Sequence, residues 1–117
     1  MPPITMFNKN PDAQSFEVGE IVFKEGDAGD AMYAVIEGRV EVIHAGKAFE
    51  TVEPGGILGE MALIDESPRS MTAVAISPSR LVRVDQKQFM FLVHEHPTFS
   101  LQVMAIMAER LRRESDR

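Results

Sequence analysis

The sequence predicts a mainly β domain, an antiparallel barrel or jelly roll followed by two C-terminal helices. Two observations carry this. From Ser15 to Asp85 the chain is punctuated at Gly19, Gly26, Gly29, Gly38, Gly46, Pro54, Gly55, Gly56, Gly59, Pro68 and Pro78, and the runs between are rich in β-branched and aromatic residues. After Asp85 the turn signals thin out and apolar residues recur at helical spacing.

The elements follow in order. Residues 1–14, with Pro2, Pro3, Asn8, Asn10 and Pro11, read as a loosely ordered arm with at most one short helical turn. Strands are expected over Ile21–Lys24, Ala31–Ile36, Arg39–His44, Ala48–Val52, Met71–Ser77 and Leu81–Asp85. In Arg39-Val40-Glu41-Val42 charged and apolar residues alternate, which puts both valines on one face of a strand. Asp85 with Gln88 three residues later is a capping-box pattern, and Phe89, Leu92 and Val93 follow as one helical stripe. Pro97 ends that helix and opens the next, because its missing N–H is one the first turn leaves unpaired anyway. The last helix, to Glu114, carries Phe99, Val103, Ile106 and Met107 on one side, with Met104 and Leu111 alongside. Met104 and Met107 read first as core filling, and alternatively as an adaptable partner surface or a dimer seam.

At 117 residues the chain has room for one domain, expected to span 15–117 after the arm. The absence of Cys removes disulfide frameworks, thiol redox chemistry and cysteine nucleophiles. Twelve basic against 18 acidic residues give a net charge of −6, the wrong sign for gripping nucleic acid or anionic lipid, so any bound anion must be held locally. No segment resembles a signal peptide, and the longest apolar stretch, Val103 to Ala108, is far short of the roughly 20 residues of a spanning helix. These features point to a cytoplasmic protein with no membrane partner.

The segment Pro54–Thr72 is unlike the rest. Gly55 and Gly56 make a turn, Gly59 precedes a short apolar run, and an acidic, Pro-containing turn leads to Arg69. Gly59 lets backbone approach a bound group, and Glu60 to Ile64 suit about one helical turn whose leading N–H groups attract an anion. The guanidinium of Arg69 can reach the same point with a planar fork matched to two phosphate oxygens. Glu60 would repel that anion unless it meets a donor elsewhere on the ligand, such as a sugar hydroxyl. A ligand with both a phosphate and a vicinal hydroxyl satisfies both residues; an ordinary turn with solvated charges is the competing reading.

The string LGEMALIDESPRSMTAVA resembles the phosphate-binding cassette of cyclic nucleotide-binding domains, as found in the catabolite activator, the regulatory subunits of cAMP-dependent kinase and cyclic nucleotide-gated channels. FEVGEIVFKEGDAGDAMYAVIEGRVEVI is similar to that family's first strands and HPTFSLQVMAIMAERLRR to its closing helix. The resemblance implies a β-roll with a short phosphate-binding helix and two C-terminal helices over 85–114. It implies that Arg69 holds the cyclic phosphate, helped by backbone amides around Met61 and Ala62 and by Ser70. Glu60 would accept the ribose 2′-hydroxyl with Gly59 beneath the sugar, and Val42, Leu58 and Met71 would line the wall beside the base. Arg110 falls where related channel domains place a lid over the base. Leu58 replaces an aromatic residue frequent in the family and Met71 an Ala, while Ser70 leaves cAMP and cGMP both open as ligand. Replacing Arg69 by Glu is expected to abolish cAMP binding with the fold kept.

The implied function is a stand-alone cyclic nucleotide sensor that binds noncovalently, needs no prosthetic group and passes its signal through the last helix to an effector protein or a second copy. With so little sequence beyond the roll, the output is expected on another chain. The alternative is the same fold without ligand, acting as an interaction module; retention of Glu60 and Arg69 argues against it. A metal-dependent enzyme rests only on the histidines, and His94 and His96 two apart on a helix point to opposite sides. No catalytic motif is present: there is no Gly-x-Ser-x-Gly, no HExxH, and PGGILGEM lacks the Lys and Ser/Thr of a P-loop.

Overall fold

The computed structural model describes residues 3–115. The termini of the two expected spans, residues 1–2 and 116–117, lie outside the described residues. Among the described residues eight strands form two four-stranded sheets in which every pairing is antiparallel. The first sheet orders β1 (Gln14–Phe16), β8 (Ser79–Asp85), β3 (Ala31–Glu37) and β6 (Ile57–Leu58). The second orders β2 (Ile21–Phe23), β7 (Thr72–Ala75), β4 (Val40–His44) and β5 (Lys47–Val52). One short helix, α1 (Glu60–Asp65), interrupts the strands, and α2 (Gln86–Glu95) and α3 (Pro97–Ser115) close the chain.

β3 explains why the strand alternation expected of a half-buried sheet is missing from its sequence. It pairs with β8 and β6 and is covered on both faces, so Ala-Met-Tyr-Ala-Val-Ile is nearly continuously apolar. Met32 and Ala34 face the helices and join Val82, Val84, Ile57, Phe99 and Val103 in one core cluster. Val35 faces the other sheet and packs with Val40, Val42, Val52, Leu58, Ala73 and Leu81 between the two layers. The predicted alternation in β4 holds: Val40 and Val42 are both buried there.

Turn chemistry matches backbone demand where it is most constrained. Ala45 and Gly46 both have positive φ (52° and 79°) and join His44 to Lys47, the geometry of a two-residue hairpin loop. The Asp85 capping box forms as expected: the Gln88 N–H donates to Asp85 Oδ1 at 2.8 Å and the Asp85 N–H to Gln88 Oε1 at 2.9 Å. Pro97 opens α3 directly after α2.

Three features depart from the sequence expectation. Residues 4 and 7 do not belong to a loose arm. Ile4 and Phe7 are buried in the helix-side core, the Ile4 N–H donates to Gly55 O at 2.8 Å, and the Phe7 ring meets Phe99 edge-on at 5.9 Å. β1 and β6 had no sequence signal, being three and two residues long. On α3, Met107 packs against the core as expected, whereas Met104 is 53% exposed and Leu101 is 62% exposed. Among the described residues no helix is long and apolar enough to cross a membrane.

Candidate functional site

A cavity of about 370 Å³ opens where α1 and the turn after it face β4, β5 and the C-terminal half of α3. The cassette is what shapes its floor. Gly59 takes φ +79° as the residue preceding α1, a left-handed conformation that costs any L side chain, and a Cβ there would lie 2.5 Å from Arg69 Nη1. Glycine therefore lets Arg69 run beneath the start of the helix. Gly29 does the same for α1 itself, since a Cβ there would fall 2.2 Å from that of Ala62.

Arg69 is the first of two arginines that line the cavity, and it is buried. It is only 5% exposed; Nη1 donates to Gly59 O at 3.0 Å, Nη2 donates to Ala31 O, and the guanidinium carbon stands 4.1 Å from the centre of the Phe23 ring. Its Nε–H is buried without a hydrogen-bond partner, and no carboxylate forms an ion pair with it among the described residues. Burial pulls its pKa below the ordinary arginine value, partly offset by Tyr33 and Asp30. The group is therefore a desolvated cation lacking a counterion at the wall of a cavity. An isolated buried charge is costly, and an anion placed beside it relieves that cost.

Arg110 is in the opposite situation. It reaches from α3 across the cavity, donating from Nε to Glu50 Oε1 at 3.0 Å, from Nη2 to Glu50 Oε2 at 3.2 Å, from Nη1 to Glu60 and from Nη2 also to Ile57 O. Glu60, 3% exposed, is thereby held in the first turn of α1. Burial works against the Arg110 charge, but attraction from Glu60 and Glu50 outweighs it and raises the pKa above the ordinary value. Arg113 adds a contact to Glu50 Oε1 at 3.2 Å.

The residues named from the sequence come together here. Val42, Leu58 and Met71 form an apolar wall; Gly59, Glu60, Met61 and Ala62 form the edge along α1; Arg69, Ser70 and Arg110 complete the lining. Arg110, which the resemblance gives as a lid over the base, has its guanidinium bonded to Glu60 and Glu50, where two carboxylates and a carbonyl supply charge-assisted bonds. The Arg69 fork has one donor on each Nη engaged by a backbone oxygen, so Glu at this position would set a carboxylate against the Gly59 and Ala31 carbonyls and strain the fold as well as the site. Glu50, Phe23 and Phe49 also line the cavity and were not singled out in the sequence. His94 and His96 stand exposed at the end of α2, away from it.

Residues 13–96 match the model of the cyclic nucleotide-binding domain. The cyclic AMP receptor protein of Thermus thermophilus is 34% identical over 99 residues, covering 80% of this chain and 46% of that protein. The CRP-like cAMP-activated global transcriptional regulator of Mycobacterium tuberculosis is 28% identical, covering 97% of this chain and 53% of that protein. The chain thus spans about half the length of these curated relatives. Among solved structures, the Thermus thermophilus catabolite activator protein superposes with a TM-score of 0.78 at 31% identity, over 88% of this chain and 52% of that one. The cGMP-bound form of the EAL enzyme Bd1971 gives a TM-score of 0.67 at 31% identity, over 90% of this chain and 29% of that one. The two sheets, the cassette helix and the closing helices are the β-roll of this group, and the chain belongs to the cyclic nucleotide-binding domain family.

Proposed function

We propose that this domain is a noncovalent sensor of cAMP or cGMP that acts through α3 on a partner protein or a second copy, without catalytic turnover and without contacting nucleic acid itself. The observation that carries the proposal is Arg69, a buried guanidinium with no carboxylate partner and an unpaired Nε–H at the wall of a cavity of nucleotide size. A cyclic phosphate diester brings one negative charge to that point. Glu60 would take the ribose hydroxyl, and the wall of Val42, Leu58 and Met71 would face the base.

Coupling to α3 follows from a shared residue. A ribose hydroxyl donating to Glu60 joins a carboxylate already bonded to Arg110, so ligand and helix meet on one side chain. Ligand shifts the helix only to the extent that it binds one arrangement better than another. Leu101 and Met104, exposed on α3, offer the apolar surface such an output requires.

Calorimetric titration with cAMP, cGMP and 5′-AMP tests the reading. Binding of a cyclic nucleotide and not of 5′-AMP is expected, and Arg69→Lys, which keeps the charge and loses the fork, should weaken it about 10- to 100-fold, since each charge-assisted bond is worth about 1.5–3 kcal/mol. No binding of either cyclic nucleotide would favour the ligand-free interaction module.

A further inference from the structure

We propose that Phe23 is the positioning residue for Arg69, and that it holds the guanidinium with an aromatic face because a carboxylate there would fill the site the anion needs. This rests on the reading of Arg69 as the anion-binding group.

The contact has three parts. The Arg69 guanidinium carbon lies 4.1 Å from the Phe23 ring centre, within the range of a cation–π contact, which strengthens where water is excluded. The two backbone bonds, to Gly59 O and Ala31 O, fix the guanidinium along its edges and leave its face to be supported by the ring. Tyr33 backs Phe23, with ring centres 6.1 Å apart, and the missing side chain of Gly59 keeps the ring and the cation together: a Cβ there would sit 3.3 Å from both Phe23 Cε2 and Arg69 Cζ.

Arg110 shows why the distinction matters. That residue is held by Glu60 and Glu50, and its charge is answered within the protein. The ring quadrupole of Phe23 attracts a cation without neutralising it, so Arg69 is oriented and still carries an uncompensated charge. Phe23 sits at the end of β2, half-buried against the inter-sheet core, so packing alone also accounts for an apolar residue there, whereas only a ring supplies the quadrupole that faces the Arg69 guanidinium.

Phe23→Leu and Phe23→Tyr separate the two roles. The first readout needs no ligand: solvent exchange of the Arg69 Nε–H, followed by ¹⁵N NMR in the free protein. Leu should speed that exchange about tenfold relative to buried strand amides and weaken cAMP about tenfold in calorimetry, with Tyr within about twofold of wild type in both. Unchanged exchange and affinity in the Leu variant, or equal losses in Leu and Tyr, would overturn the proposal. If the wild-type protein binds no cyclic nucleotide, the functional reading fails, while the exchange measurement still decides whether Phe23 holds Arg69.

Discussion

Replacing Arg110 by Met should expose how strongly α3 is tied to the β-roll. The side chains involved are 17% (Arg110), 4% (Glu60) and 12% (Glu50) exposed, so this ion pair is largely shielded from water, most fully at Glu60. Met keeps much of the apolar stem but leaves Glu60 without its cation, whereas Glu50 retains Arg113 at 3.2 Å. Removing one partner of a buried pair costs about 3–5 kcal/mol, a large part of the roughly 5–15 kcal/mol that holds a typical domain together. Urea unfolding by circular dichroism at neutral pH, always compared with wild type, reads this loss directly. Adding Glu60→Gln to the Met variant removes the stranded charge and should reduce the cost to about 1–3 kcal/mol, that of an incompletely satisfied buried amide. A cost below about 1 kcal/mol is the behaviour of a solvated pair and would refute the reasoning.

Gly59→Ala should lower unfolding free energy by about 1–2 kcal/mol through its positive φ alone. Because its Cβ also meets Arg69 Nη1, cAMP affinity should fall together with stability; an unchanged titration would detach Gly59 from the site. Phe99→Ala should cost about 3–5 kcal/mol, measured as a shift in the urea midpoint at constant slope. The ring is 1% exposed and packs against Phe7 at 5.9 Å and Phe89 at 5.7 Å, and a loss under about 1 kcal/mol would mean that α3 is not part of the core.

What the sequence revealed and what it hid divide along the length scale of the interaction. Local rules place β4, the Asp85 capping box and the break at Pro97, because each depends on residues within one turn or strand. The cassette is legible for the same reason: Gly59, Glu60 and Arg69 lie in one short segment whose residue types already imply a turn, a helix start and a cation. Ile4 and Phe7 were not legible. They lie in a short stretch bounded by prolines and polar groups, with no period to report that Gly55 and Phe99 would receive them. Glu50 was hidden more completely. It lies in a short strand like any charged residue of an alternating run, and its bonds go to an arginine 60 residues away.

Composition treats Arg69 and Arg110 as equal contributors to a net charge of −6, and the fold gives them opposite electrostatic roles. Arg110 is surrounded by more carboxylate than it carries charge, so its pKa rises and the cluster has no need of an external anion. Arg69 is surrounded by carbonyl oxygens and an aromatic face, so burial dominates and its pKa falls. A surface carrying six excess negative charges repels anions at long range, but that repulsion is screened over roughly 10 Å of electrolyte, whereas the field of a desolvated guanidinium inside the cavity is not. The two effects therefore act at different distances. An acidic domain can disfavour extended polyanions and still leave a place for one small anion, provided one buried arginine in it has no carboxylate in direct contact, and the packing around Arg69 meets that condition.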